Sequence, residues 1–376
     1  MQRARVRAGK PEKLEHSSPQ RFNIGAENPR KISRTKRNTR KYATFPTNSS
    51  TLTLLQPDLS STRLELVDRP IPIANPDANE HLIRVHCTAP CAGELGWYAY
   101  VSLPDREPVP CDDMAGTVVT APPNSPFQPG DEVYARSTFN RPGCARDYTV
   151  VVTDELARRP QNLSWAESAA TPLSAETAWQ ALFEQSGIGG FSSSAWKGKR
   201  ILVTAASSST GMWLVQLGRI IGAQIIGTCG PNNVDLVRGL GAVDVVNYRS
   251  QSLREWGQNE ENKVDLVIDC IGGQSLEDAW RCVRDQGIVI SICRSPNEVK
   301  PAEVTAKEVR GLFFIMTPRR SDLEEITKLV EAGECRPLVD SVWPLEQFQS
   351  VFDRVEGRHA RGKVVMDLRL NRKLES

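Results

Sequence analysis

Between residues 196 and 316, short apolar runs alternate with segments of helical period. RILVTA (200–205) leads into GMWLVQLGRIIG (211–222), and QIIGTC (224–229) into NNVDLVRGLG (232–241). DVVNY (244–248) and a polar helical stretch near 252–258 precede VDLVIDC (264–270), SLEDAWRCVR (275–284), GIVISIC (287–293) and a last apolar run, GLFFIM (311–316). Runs that are apolar throughout belong to strands buried on both faces, and helices between them supply right-handed crossovers. The pattern predicts an α/β, doubly wound parallel sheet.

Residues 51–160 are patterned differently. HLIRVHC, MAGTVVT, DEVYAR and YTVVVT are strand-like pieces separated by PPNSPFQPGD and NRPGC, which predicts a compact, mostly β domain. Past the sheet region, SDLEEITKLVEAGE and LEQFQSVFDRVEG read as amphipathic helices, and KVVMDL (363–368) as a final strand. A single terminal strand needs a sheet to join, and the β domain is the expected host. The parallel-sheet domain, 176–317, is then inserted between 51–175 and 318–376 of the β domain.

Composition sharpens the picture at the N-terminus. Residues 1–50 hold thirteen Lys/Arg against three Glu, which leaves 34 basic and 42 acidic groups in the rest. That acidic body is a poor electrostatic partner for nucleic acid. The first fifty residues, with few apolar positions, read as a disordered basic extension: a targeting segment, a solvated tail or the product of a mis-assigned start. No apolar run approaches the roughly 20 residues that cross a bilayer, so no membrane partner is expected. The nine cysteines are scattered and odd in number, as expected for free thiols in a reducing compartment. A cytoplasmic protein is expected, with mitochondrial targeting through the basic extension as the alternative.

TAASSSTG (204–211) stands between RILVTA and a helix, the strand–turn–helix context of a dinucleotide-binding loop. Gly211 keeps the last glycine, where helix and strand must pack closely, while Ala205 and Ser208 stand in for the first two. A serine hydroxyl there can donate to a phosphate or cap the helix. The following strand ends TCGPNN, with no carboxylate before Asp235 to take the ribose hydroxyls or to repel a 2′-phosphate. That favours NADP(H) over NAD(H), although no Arg stands in the turn. An ordinary capped loop without a ligand stays open on these segments alone.

Six segments in order resemble the medium-chain dehydrogenase/reductases, and specifically their zinc-less quinone oxidoreductase and enoyl reductase branch. They are PVPCDDMAGTVV (with Cys111 where glycine is usual), FQPGDEVYA, GCARDYTVV, LSWAESAATPLSAETAWQAL, KGKRILVTAASSSTGMWLVQLGRIIGAQIIGT and LVDSVWPLEQFQSVFDRVEGRHARGKVVM, within roughly residues 60 to 368. TCGPNNVDL with the serine-rich loop is most similar to the trans-acting enoyl reductases of fungal polyketide pathways. The resemblance implies a Rossmann domain inserted in a GroES-like β domain, and NADPH as the cofactor. It places Ser207, Ser208, Ser209 and Thr210 at the pyrophosphate, and Thr228, Gly230, Asn232, Asn233 and Tyr248 around the adenosine ribose and its phosphate. Thr177, Cys270, Gly272, Ser291, Phe313 and Phe314 fall near the nicotinamide, with Lys363 a further match. A homodimer is common in the family.

Zinc alcohol dehydrogenases share this fold, but Cys111-Asp112-Asp113 stands where their Gly-His-Glu segment would be, so the histidine ligand is missing. His81, His86, Cys87 and Cys91 lie close together without paired ligand spacing and read as buried or half-buried strand positions. No zinc is expected. Without a metal, the chemistry implied is reduction of an activated carbon–carbon double bond in an enone or enoyl thioester, or of a quinone, with a proton delivered by a tyrosine or by water. Tyr98 and Tyr100 in CAGELGWYAY occupy the stretch where such a tyrosine would sit. APCAGEL departs there from the branch's usual Asn-Pro-Ser-Asp pattern, and Glu94 and Trp97 are expected to shape the substrate entrance. The alternatives are a carbonyl or alcohol oxidoreductase of the same superfamily, and an NADPH-binding protein without turnover.

Overall fold

The computed structural model describes residues 50–100 and 106–371, leaving the side chains of 98–100 outside the description. The basic extension assigned to residues 1–50 therefore lies, Ser50 apart, outside the described residues.

Strands come first. β1 (Ser50–Leu55) and β2 (Glu65–Pro70) form a hairpin. They precede β3 (Glu80–Ala89), β4 (Asp113–Thr120), β5 (Glu132–Arg136), β6 (Tyr148–Val152) and β7 (Leu156–Arg158). Two short helices follow: α1 (Trp165–Ala169), which starts in a capping box between Ser164 and Glu167, and α2 (Pro172–Gln180), with Pro172 in its first turn.

The chain then alternates. β8 (Arg200–Val203), α3 (Ser209–Ile220), β9 (Gln224–Cys229), α4 (Val234–Gly239), β10 (Asp244–Asn247), α5 (Leu253–Trp256), β11 (Val264–Asp269), α6 (Gly273–Ala279), β12 (Val283–Ser291) and β13 (Arg310–Phe313) build a six-stranded sheet. Its order is β10-β9-β8-β11-β12-β13, and every pairing is parallel. The order reverses direction at β8, the switch point beside which doubly wound sheets bind ligands. The apolar runs are buried as a two-sided sheet requires: Ile201, Leu202, Val203, Leu266, Val267 and Ile268 are all fully buried.

The chain closes with α7 (Arg320–Glu331), β14 (Val339–Pro344), α8 (Phe348–Glu356) and β15 (Lys363–Asp367). β15 runs antiparallel to β3 and parallel to β14, so the last strand enters the sheet made by the first part of the chain, in the order β14-β15-β3-β4-β5-β7 with β6 beside β3. This is a Rossmann unit inserted into a mostly β, GroES-like one.

One hydrophobic cluster joins the two sheets, running from Cys87 and Tyr134 through Ala175 and Leu182 to Ile201 and Leu214. The Tyr134 hydroxyl reaches across to α7, 2.9 Å from the Leu323 carbonyl. A second cluster fills the β unit around Met114 and Phe352, and a third covers the other face of the parallel sheet around Leu202 and Trp280. Among the described residues no helix is long and apolar enough to cross a membrane.

Leu202 is fully buried between β8's neighbours and that third cluster. Leu202→Ala is expected to cost about 3 kcal/mol, the lost transfer energy plus an unfilled cavity. Urea unfolding of the two proteins measures it.

Candidate functional site

The loop after β8 makes its tight turn into α3 with only one glycine. Ala205 holds a left-handed backbone, φ +49°, a conformation that glycine adopts without a side-chain penalty. Its N–H donates to Thr228 Oγ1 at 3.1 Å and that of Ala206 to the Thr228 carbonyl at 2.8 Å, so the end of β9 pins the turn. Gly211 is indispensable: a Cβ there would lie 2.3 Å from the Ala205 carbonyl oxygen. Ser208 is the N-cap of α3, its Oγ accepting from the Gly211 N–H at 3.1 Å. Ser207, Ser208 and Ser209 are half-buried and Thr210 is buried, at the helix end whose first N–H groups have no partner within the helix.

Beside the turn lies a cavity of about 320 Å³ lined by Ala205, Thr228, Tyr248, Leu253, Ile271 and Ser275, among others. Tyr248 and Ile271 expose apolar surface there, and a Cβ on Gly230 would come 3.0 Å from the Tyr248 hydroxyl. Asn233 Nδ2 donates to Ser207 Oγ at 3.2 Å. Its Oδ1 is buried with no partner among the described residues, an acceptor that a sugar hydroxyl would satisfy. Arg361 reaches the same turn, Nη2 donating to the Asn232 carbonyl at 3.0 Å. A cradle without room for a Cβ, an orphaned acceptor and an aromatic-sided cavity together fit a dinucleotide.

At the ends of β8, β11 and β12 one carboxylate organises the floor. Thr204 Oγ1 donates to Asp269 Oδ1 at 2.7 Å, while Ser291 Oγ and the Gly272 N–H both donate to Oδ2 at 2.9 Å. The Cys270 N–H in turn donates to Thr204 Oγ1 at 3.0 Å. Burial still pushes the Asp269 pKa up against these bonds. Ser291 is fully buried, with its hydroxyl turned to Asp269. Cys270 is half-buried, Phe313 is exposed and Phe314 is buried. Thr177 is buried, its hydroxyl donating back to the Leu173 carbonyl at 2.6 Å.

The β unit contributes a charged cluster. Lys363 is buried and not a surface lysine: its Nζ lies 2.8 Å from Asp113 Oδ2 and donates to the Pro90 carbonyl at 3.1 Å. Asp112 lies between Arg106 and Arg136, at 3.5 and 3.4 Å. Glu94 Oε1 and Oε2 accept from the N–H groups of Cys111 (3.0 Å) and Cys91 (2.7 Å). Burial, aided by the Asp112 charge, pushes the Glu94 pKa up to about 8. Cys111, where glycine is usual, is left-handed at φ +66°. A lone β-bridge between Ser208 and Gly362 brings the start of β15 against the phosphate turn. The side chains of Tyr98 and Tyr100 lie outside the described residues.

His81 and His86 are strand residues with their own partners, Ser125 (2.6 Å) and Thr117 (2.8 Å), and burial lowers both pKa values. Among the described residues no three His, Cys, Asp or Glu side chains gather as a metal-ligand group. Asp269 and Thr204 were missed as organising residues, although a carboxylate closing the apolar run VDLVID was a signal. Arg361 gave no signal, standing 129 positions from its partner.

Two outcomes follow from this geometry. Ser208→Ala removes the cap and is expected to lower unfolding stability by about 1 kcal/mol, and Ser208→Gly by only a few tenths. Denaturant titration of both variants checks this. Glu94 binds a proton more tightly folded than at its ordinary value of 4.5. Its contribution is thus fully present below that value and lost as pH rises through about 8. The free energy of unfolding should fall by up to about 1.4 kcal/mol per pH unit on its account from pH 5 to about 8 and level off above. Glu94→Gln, although it loses a hydrogen bond, should flatten that share of the slope.

Comparison with known proteins gives this arrangement its relatives. A family model described as zinc-binding dehydrogenase matches residues 240–366. The "Probable zinc-binding oxidoreductase, mitochondrial" of Arthroderma benhamiae is 54% identical over 312 residues, 82% of this chain and 94% of that protein. The "NAD(P)H oxidoreductase RTN4IP1, mitochondrial" of Danio rerio is 30% identical over 263 residues, 64% of this chain and 67% of that one. The quinone oxidoreductase of Coxiella burnetii shares the fold, with a TM-score of 0.73 at 22% identity, covering 85% of this chain and 100% of its own. The chain therefore belongs to the medium-chain dehydrogenase/reductase superfamily and is one of its oxidoreductases.

Proposed function

We propose that this oxidoreductase uses NADPH to reduce an activated carbon–carbon double bond, in an enone or enoyl thioester, or a quinone, without a bound metal. The observation that carries the reading is the pairing of Asp112 and Asp113. At the place of a zinc dehydrogenase's Gly-His-Glu, both carboxylates are taken by cations: Arg106 and Arg136 on one, Lys363 on the other. A metal ion there would displace an ammonium from a buried carboxylate and would have no histidine to bind. The donor set does not fit zinc.

The dinucleotide site does fit its cofactor. Gly211 allows the pyrophosphate turn to close against α3, where Ser207, Ser208, Ser209 and Thr210 present hydroxyls and first-turn N–H groups. Thr228, Gly230, Asn232, Asn233 and Tyr248 surround the adenosine ribose, with no carboxylate in that turn to repel a 2′-phosphate. Cys270, Gly272, Phe313, Phe314 and Thr177 stand at the nicotinamide end, over the floor that Asp269 holds. When bound, NADPH supplies the hydride. The protein orients the acceptor, excludes water and supplies a proton, for which Tyr98 and Tyr100 remain the candidates.

Lys363 acts here as the partner of Asp113, whose Oδ1 accepts from the Leu173 N–H of α2 at 2.7 Å. The same reading divides the chain into 51–175 with 318–376 as the substrate unit and 176–317 as the cofactor unit. It takes a homodimer as the working assembly. The basic residues 1–50 serve as a mitochondrial address, in line with the names of both mitochondrial relatives.

Purified protein mixed with NADPH and a panel of enones, quinones and enoyl thioesters should consume reduced cofactor with at least one class. Binding without turnover across the panel would leave a non-catalytic NADPH protein. NADPH is expected to bind at least tenfold more tightly than NADH, about 1.4 kcal/mol. Elemental analysis should find far less than one zinc per chain.

A further inference from the structure

The turn after β9 needs a positive charge to hold a 2′-phosphate, and residues 228–233, TCGPNN, have none. The fold brings one from the other end of the chain. Arg361 donates from Nη2 to the Asn232 carbonyl at 3.0 Å, which sets its guanidinium at the mouth of that turn. Its neighbour Arg354 is committed to Asp340, with Nε and Nη2 at 3.0 and 2.8 Å from the carboxylate. Arg361 touches the same carboxylate only through its backbone N–H, at 2.8 Å. Among the described residues no carboxylate pairs with its guanidinium, on a chain whose other arginines are mostly ion-paired.

The position is also rigid. Gly362 is left-handed at φ +87°, and a Cβ there would lie 2.0 Å from the Leu338 carbonyl oxygen, so the bend admits no other residue. Gly362 is bridged to Ser208 in the phosphate turn. With its own N–H on Asp340 and the next residue locked, the backbone that carries the Arg361 side chain is fixed. A guanidinium offers a planar fork of N–H donors that matches phosphate oxygens. The turn it reaches also holds the Ser207–Asn233 pair and, beside Gly230, the hydroxyl of Tyr248, whose ring Arg249 covers at 5.5 Å.

We propose that Arg361 reads the 2′-phosphate of the cofactor and so sets the preference for NADPH over NADH. The inference rests on the NADPH reading above and names the residue responsible. The cation comes from the segment that runs into β15, in the sheet of the β unit, so the two halves of the cleft share the recognition of one phosphate.

Dissociation constants of NADPH, NADH, 2′,5′-ADP and 5′-AMP for the full chain and for Arg361→Gln test it. Arg361→Gln should weaken NADPH and 2′,5′-ADP about tenfold and leave NADH and 5′-AMP unchanged, with Arg361→Lys recovering part of the loss. Added salt should shrink the difference between wild type and variant. Equal losses for NADPH and NADH would make Arg361 a prop for the Asn232 carbonyl and overturn the proposal. No loss for either would overturn it as well. A wild-type protein that prefers NADH would defeat the NADPH reading itself, whereas an NADPH preference that survives Arg361→Gln defeats only the role of Arg361.

Discussion

A carboxylate buried at the end of a parallel sheet is costly unless its oxygens are bonded, and the cleft depends on how Asp269 meets that demand. Its two oxygens accept from Thr204, Ser291 and Gly272, residues that follow or end three different strands. Thr204 then carries the connection on to the Cys270 N–H. Parallel strands pair through backbone bonds only along their length, and their ends are free to splay. One carboxylate with three donors holds these ends in a single arrangement, so the backbone at Cys270 and Gly272 has a defined place. The polar network gives the site geometry that the apolar sheet beneath cannot.

The facing wall is held by charge. Lys363 and Asp113 are a buried pair joining the first residue of β15 to that of β4, and the other Asp113 oxygen fastens the start of α2. Because α2 packs into the cluster that joins the two sheets, this pair couples the last strand, the β unit and the helix that leads towards the Rossmann unit. Removing one partner would strand the other charge in a buried place, which costs far more than the pair itself contributes.

The architecture was legible because it follows from two periodicities. Continuous apolar runs from Ile201 to Ile290 could only be strands covered on both faces, and KVVMDL could only be satisfied in a sheet begun more than 270 residues earlier, at β3 (Met366 opposite Thr88). The turn between β8 and α3 was legible in position, because a strand, a turn and a helix are adjacent in sequence. What was not legible is whatever depends on residues far apart. The bond from Ser291 to Asp269 joins positions 22 residues apart, on two strands that only the fold makes neighbours. Lys363 stood out only through the resemblance, because nothing local says that Asp113 waits for it. Arg361 was invisible, since the turn it serves has no feature that calls for a partner from the C-terminal segment.

Ala205 and Cys111 sharpen what a departure from a pattern means. Both stand where glycine is usual in the resemblance, and both hold the left-handed backbone that glycine would adopt, φ +49° and +66°. The substitutions therefore did not change the shape of either turn. They kept it at a conformational cost of about 1–2 kcal/mol each for a residue with a Cβ. Each turn also carries the bonds that hold it there: Thr228 receives the Ala205 N–H, and Glu94 the Cys111 N–H. Where no bond could compensate, glycine remains. At Gly211 and Gly362 a Cβ would meet a carbonyl oxygen at 2.3 and 2.0 Å, a contact no rotation relieves. Glycine also remains where only φ asks for it, as at Gly130 and Gly222, where a Cβ would meet nothing within 4 Å; Ala205 and Cys111 are the positions where a bond to a neighbour holds the same backbone with a side chain in place.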